Sequence, residues 1–410
     1  MRFRHPDGGT VHLAYCTNVH AADDADGVVA QLARYSGPVR ARLGVERLGV
    51  GLWLAAPAAA SLARDPRAVA ELRRALDRHG LEVVTLNGFP YTRFHAPVVK
   101  HAVYAPDWTR PERLAYTRDL ARLLVELLPA DIVDGSISTL PLAWRDPWSP
   151  SAQAAARAAL EQLAADLESL AGATGRRIRV GLEPEPGCVV ETTDQAARLL
   201  SEIGSPWLGV CLDCCHLAVQ FEDPAEALAT LAVAGVPVVK AQVSAALRAP
   251  MPDTAEGRAV LASYVEPRFL HQTRALTPGG VLAADDLDEA LDGALPGEGE
   301  WRVHFHVPLH APSGTTQAEL VAALDALLGA AVPVTRHLEV ETYTWTVLPP
   351  DQRLTGDDGL VEGIARELEW TCDRLTELGL AMKGHAASGS AHEQPFRSLH
   401  PTQRDPSRGV

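Results

Sequence analysis

Short apolar runs that end abruptly in polar residues recur along the chain, each followed by a stretch with apolar positions three or four apart. Val11 to Cys16 is the first such run and ends in Thr17, Asn18 and His20; a helix is predicted from about Asp24, broken at Gly37-Pro38. Arg47 to Leu54 forms the second run. The helix after it starts at an Asp65-Pro66 cap, carries Val69, Leu72 and Leu76 on one face and stops at His79-Gly80. Glu82 to Leu86 is the third, ending at Asn87-Gly88 and opening into a polar-aromatic loop over 89–108. Loops of that length without structure of their own are usually functional.

The rhythm continues with a helix over Pro111 to Leu128 and a weaker strand from Ile132 to Leu140 that ends in Ser136, Ser138 and Thr139. Another helix covers Ser151 to Leu170. Arg177 to Leu182 then runs into Glu183-Pro184-Glu185, and a helix over 193–203 leads to Trp207 to Leu212, which ends in Asp213. A helix over 224–234 precedes the seventh strand, Val236 to Val243. Residues 250–300 read as irregular and acid-rich, an insertion. Two further strand-like runs, Trp301 to Leu309 and His337 to Trp345, flank a helix over Ala318 to Leu328. The last helix spans about Leu360 to Leu380, and 384–410 has little to bury and is expected to be disordered.

Alternating strands and helices imply a parallel sheet with right-handed crossovers. Eight such units over residues 10–383 predict an α/β fold, one (β/α)8 TIM barrel with an inserted segment after strand seven. Nine strand candidates leave one extra, and 301–309 is the suspect. No glycine fingerprint of a dinucleotide fold follows the first strand.

Composition narrows the function classes. The 410 residues carry 37 basic and 52 acidic side chains, a net charge of −15, which argues against an electrostatic grip on nucleic acid or anionic lipid. No apolar run approaches the roughly 20 residues that span a bilayer, and the first residues lack a signal peptide's apolar core. A cytoplasmic protein without membrane insertion is expected. The six cysteines are scattered, three of them within Cys211 to Cys215, and form no disulfide framework; they read as small buried hydrophobes.

The candidate chemistry sits at strand ends, which in a barrel converge on one mouth. Glu183, Asp213 and Glu341 each end a strand, and period two leaves Glu185 and Glu339 as alternates on the same faces. An apolar strand seldom carries an ionisable group without a partner, because an unpaired buried charge costs several kcal/mol or more. Asp213 alone could simply cap the next helix. Three carboxylates on adjoining strands repel unless a cation sits between them, and oxygen ligands with one or two imidazoles suit Mn, Mg, Co or Zn. His304 and His306 share one face of their strand and read equally as chelators or as solvated surface imidazoles. Gln242 reads as a hydrogen-bonding group rather than a ligand. The loop residues Tyr91, His95 and Trp108, with Asn87, Glu185, Gln242 and His304, are the expected substrate contacts.

The string Gly209 to His216, with its Asp-x-x-His, and the ends Leu182-Glu183 and Val340-Glu341 resemble the xylose isomerase-like barrels, which include sugar epimerases and an endonuclease IV branch. That resemblance implies a divalent metal held at the barrel mouth by Glu183, Asp213 and Glu341, with His216 on substrate or on a second metal. The family's strand-seven histidine is matched here by Gln242, so either its carbonyl coordinates or His304 or His306 substitutes. The set implied is therefore Glu183, Asp213, His216, His306 and Glu341 for the metal, with Glu183, Glu341 and His216 as catalytic groups. The strings at 87–95, 103–108, 138–141 and 338–345 are similar to the metabolite-traffic (EboE) subfamily of the ebo cluster. That likeness implies a small-molecule substrate in a secondary-metabolite pathway, other proteins of metabolite export as partners, and no nucleic acid. Three functions compete: a metal-dependent isomerase or epimerase, a non-catalytic metabolite carrier, and an endonuclease IV-like phosphoesterase, which the −15 charge disfavours.

Overall fold

A computed structural model describes residues 1–383; the tail at 384–410, expected to be disordered, lies outside the described residues. Strand β1 (Arg2–Arg4) pairs antiparallel with β2 (Thr10–Cys16), the first strand of the barrel. Around it follow β3 (Leu48–Trp53), β4 (Leu81–Asn87), β5 (Asp134–Thr139), β6 (Arg177–Leu182), β7 (Leu208–Asp213) and β8 (Val238–Val243). Each pairs in parallel with the next.

Next in the chain come β9 (Ala246–Ala249), β10 (Thr273–Thr277), β11 (Gly280–Ala284) and β12 (Trp301–His306). They form a separate antiparallel sheet in the order β11-β10-β12-β9. Strand β13 (His337–Val340) pairs in parallel with both β8 and β2, which closes the eight-stranded parallel barrel. A two-residue β14 (Ala381–Met382) pairs with β1. The barrel strands are buried almost throughout, the near-continuous apolar pattern expected of a parallel sheet covered by helices.

Three expectations change. The helix after β2 is not broken at Gly37-Pro38: helical structure runs from Ala25 to Leu43 with a widened π turn over Leu32–Ser36. That turn sends the Gly37 N–H to the Leu32 carbonyl, so the missing N–H of Pro38 falls at the start of a new segment. Residues 250–300 are not irregular: they hold a helix at Ala255–Ser263 and the β10–β11 hairpin. A further helix, Ala56–Arg64, precedes the Asp65 cap. The extra strand is the suspected one, since β12 belongs to the inserted sheet rather than the barrel.

One glycine is dictated by the interior. A Cβ on Gly51 would lie 1.4 Å from Oε1 of Glu339, so only glycine leaves room for that carboxylate inside the barrel.

Candidate functional site

Three barrel strands deliver carboxylates to the mouth. Glu183 follows β6 and its backbone N–H bonds the Thr139 carbonyl at 3.0 Å. Asp213 ends β7 and caps the helix Cys214–Val219: its Oδ1 accepts from the His216 backbone N–H at 3.0 Å and from Ser244 Oγ at 2.8 Å. Glu341 follows β13, and its Oε1 accepts from Asn18 Nδ2 at 2.7 Å and Asn87 Nδ2 at 2.9 Å. One oxygen from each of the three lies within 4.8 Å of the others, and all three residues are buried. Both readings of Asp213 therefore hold: one oxygen caps the helix, while Oδ2, like Glu183 Oε2, has no hydrogen-bond partner among the described residues.

Three buried imidazoles face this cluster, and their tautomers follow from what they touch. His216 Nδ1 lies 3.0 Å from the Pro184 carbonyl, and His306 Nδ1 lies 2.7 Å from the Glu341 carbonyl. A carbonyl only accepts, so each Nδ1 carries the proton. His304 Nδ1 lies 2.7 Å from Gln272 Oε1; the Gln272 amide is oriented by its Nε2, which donates to the Pro186 carbonyl at 2.9 Å. Burial keeps His216 and His304 neutral, so their Nε2 atoms carry lone pairs. His216 and His304 set theirs 3.0 Å apart, and His306 Nε2 stands 4.0 Å from Asp213 Oδ2 without a hydrogen-bond partner among the described residues. Asp213, His216 and His306 form a second group of donors within 4.8 Å, and Cys215, His304 and His306 a third. A ring N–H given to a carbonyl while the other nitrogen points at carboxylates is how proteins orient metal-ligating histidines.

The electrostatics match that picture. Burial, reinforced by repulsion from neighbouring carboxylates, raises the Glu183 and Glu341 carboxyls well above the usual range. Burial pushes against ionisation of Asp213 too, but its neighbours His216 and His306, together with the N–H and hydroxyl that donate to Oδ1, outweigh burial and bring the carboxyl below its usual value. Burial lowers His216 to about 4 and His304 well below its ordinary value, so both imidazoles are neutral. Burial lifts Glu185 to about 8 despite the hydrogen bonds it accepts from Tyr104 and Gln272.

Above the cluster lies a cavity of about 50 Å³ whose lining includes Glu183, Glu185, His216, His304, His306 and Glu341. Its upper wall is apolar: Phe89, Pro90, Phe94, Val99 and Val103 from the loop after β4, and Phe269 and Leu270 from the insertion. The 89–108 loop therefore folds over the same mouth as Asp213. It is joined to the insertion by the Lys100–Asp286 ion pair and by the Val99 N–H on the Arg268 carbonyl at 2.7 Å.

Several expected substrate contacts lie elsewhere. Trp108 is buried with its indole N–H on the Leu140 carbonyl, and Tyr91 packs on Tyr116; neither lines the cavity. Their aromatic surface serves to anchor the loop, which spacing alone could not distinguish from ligand contact. His95 packs beside Trp53 and Phe94, also off the lining. Asn87 turns onto Glu341, and its Oδ1 accepts from the Phe89 N–H at 3.0 Å. Gln242 is fully buried beside Asp213 in register, and neither amide atom has a partner among the described residues. Two site residues were not singled out from the sequence. Asn18 lay in the polar end of the first strand, a signal that was available. Gln272 lay in a segment read as irregular, and no signal marked it.

Carboxylates and imidazoles gathered at the C-terminal mouth of a closed parallel barrel define a class, the α/β barrels with an acid-and-imidazole centre. Within it the chain belongs to the family described as xylose isomerase-like TIM barrel, whose model matches residues 42–257, more than half of the 410-residue chain. Solved structures with a similar fold include a D-allulose 3-epimerase from Methylomonas sp., at 14% identity over 89% of this chain and 98% of that one, with a TM-score of 0.49. A xylose isomerase-like TIM barrel protein from Mycobacterium smegmatis in complex with magnesium is 16% identical over 92% and 94%, with a TM-score of 0.48. The IOLI protein with a bound zinc atom is 12% identical over 89% and 98%, with a TM-score of 0.47. A comparison with curated proteins returns no match. No helix among the described residues is long and apolar enough to cross a membrane.

Proposed function

We propose that the barrel mouth is a divalent-metal centre, taking Mn, Mg, Co or Zn through Glu183, Asp213 and Glu341 with imidazoles from His216 and His306. On this reading the protein is an isomerase or epimerase of a small hydroxylated metabolite. One observation carries it: buried carboxylates with oxygens within 4.8 Å of one another, Glu183 Oε2 and Asp213 Oδ2 without partners among the described residues, beside His216 and a His306 whose Nε2 is likewise unpartnered. A donor set of this kind fits a hard or borderline cation, and the unpaired atoms are what such an ion would satisfy. His306, brought in by the inserted sheet, supplies the imidazole that the family resemblance places at Gln242.

A bound cation supplies Lewis-acid polarisation of substrate oxygens. The protein's own groups do the rest. Glu183 and Glu341, buried at the mouth from two sides of the cluster, exchange a proton with a carbon next to a hydroxyl or carbonyl. Glu185 and His304 contact the distal end of the molecule. The apolar wall excludes water from the exchanging proton. We further assign the chain to the metabolite-traffic (EboE) subfamily, acting in the cytoplasm alongside other proteins of an export pathway, on small molecules rather than nucleic acid.

The test is deuterium incorporation from D2O into candidate polyols, ketoses and hydroxy-carbonyl metabolites, with Glu341→Gln as control and metal analysis of protein purified without chelator. Exchange that vanishes in the variant supports the enzyme. Saturable binding without exchange would select the carrier reading instead. Cleavage of abasic DNA would overturn both.

A further inference from the structure

The two glutamates of the centre are not equivalent. Glu341 Oε1 accepts two amide N–H groups, from Asn18 after β2 at 2.7 Å and from Asn87 at the end of β4 at 2.9 Å. The Asn87 amide cannot be reversed, because its Oδ1 is already occupied by the Phe89 backbone N–H at 3.0 Å. Toward an ionised Glu341, the form that meets a metal, Asn18 too must present its Nδ2, since a carboxylate only accepts. The Glu341 backbone is fixed as well, its N–H on the Val243 carbonyl at 3.2 Å and its carbonyl taking the His306 ring N–H at 2.7 Å. Glu183 Oε2, by contrast, has no hydrogen-bond partner among the described residues.

We propose that Asn18 and Asn87 are positioning residues that hold Glu341 by one oxygen, so that it meets a metal through the other alone, and leave Glu183 as the mobile carboxylate of the pair. The two asparagines come from the ends of different barrel strands, 323 and 254 residues before Glu341 in the chain, yet converge on a single atom. Nothing else among the described residues donates to that carboxylate. The inference rests on the metal reading above and concerns only how one ligand is held.

The experiment uses the full chain and Co2+ alone, followed by calorimetry and by the cobalt d–d spectrum. Asn18→Leu and Asn87→Leu keep the volume and remove the donors; alanine variants replace them where leucine prevents folding, judged by melting of the metal-free protein. Each is expected to weaken Co2+ binding by roughly 10- to 100-fold, the range for lost outer-shell partners, and to alter the spectrum. The same substitutions made in a Glu341→Gln background are expected to have no further effect, because they act through that carboxylate. Full additivity with Glu341→Gln, or affinity unchanged in the single variants, would overturn the inference while leaving the metal reading intact. Wild-type protein that takes up no Co2+ would overturn both.

Discussion

Two buried acid clusters lie within a few residues of each other in this barrel, and they differ in what neutralises them. Glu339, on β13, points into the interior and bonds Lys240 of β8; both side chains are fully buried. Burial works against the Lys240 charge, but Glu339 more than offsets it and the ammonium stays protonated. Two residues on, Glu341 joins Glu183 and Asp213 at the mouth, where amides, a hydroxyl, a backbone N–H and imidazoles are the direct neighbours. The lower pair has its charges balanced within the chain, although Glu339 Oε1 has no hydrogen-bond partner among the described residues. The upper trio has no ion-pair partner of that kind and thus has room for a cation from outside. The same residue type at the same strand can therefore be structural or chemical, and the partner decides which.

The largest expected effect breaks the charge-balanced pair. Lys240→Met leaves Glu339 buried and alone, which should reduce stability by about 3–5 kcal/mol in urea unfolding. Replacing both, as Lys240→Met with Glu339→Leu, should recover most of that loss. If the single variant costs less than about 1 kcal/mol, the lower pair is not the self-contained unit described. The mirror experiment at the mouth is Asp213→Asn. It removes a charge from a repelling trio, so the metal-free fold should hold within about 1 kcal/mol. Divalent-metal binding should fall by more than about 100-fold, since even outer-shell partners are worth 10- to 100-fold.

A smaller effect separates Gln242 from His306. His306→Ala should weaken metal binding by at least about 10-fold. Gln242→Leu should leave it within about threefold and be neutral or stabilising, because a buried amide without partners costs about 1–3 kcal/mol. Equal losses from the two variants, measured by Mn2+ titration, would place the amide in the metal's coordination and reverse the assignment.

How much of this was legible depends on range. The barrel was, because strands such as β3 and β7 are buried on both faces and read as apolar runs, each followed by a helical stretch. Glu183, Asp213 and Glu341 stood out because each terminates such a run. The inserted sheet was hidden: β10 and β11 are five residues each, and β11 is largely exposed, so neither period nor burial marked them. With the sheet went Gln272, which orients His304, and the certainty that His304 and His306 turn inward rather than to solvent. Asn18 and Asn87 illustrate the other limit. A side chain's partner 323 residues away leaves no trace in local spacing. Trp108 and Tyr91 misled because an aromatic that anchors a loop and one that contacts a ligand look alike in a sequence.

The smallest effect, and the most specific to the comparison, is in pH. Glu185 rises to about 8 from an ordinary 4.5, and Glu183 and Glu341 are raised too. A carboxyl whose folded value is raised lends stability that is complete below about 4.5 and is lost as pH climbs through the folded value. His216, lowered to about 4 from 6.5, works the other way: its contribution is present above 6.5 and disappears as pH falls toward 4. Between 6.5 and 8 the raised carboxyls lower stability; the buried Met1 ammonium, lowered by burial from 8.0 to about 6, works the other way but is a single group against several, so the melting temperature of metal-free protein should decline across that interval. Glu367, raised to about 7 and bonded to Thr342 and Trp345, contributes to this decline with or without metal. Mn2+ binds the ionised carboxylates and neutral imidazoles that prevail at the upper end, so the rise in melting temperature on adding Mn2+ should be greater at pH 8 than at 6.5. Taking the difference between loaded and metal-free protein cancels Glu367 and isolates the mouth. A metal-induced shift that stays flat or shrinks over this interval would mean that the carboxyls at the mouth are not the groups that meet the ion.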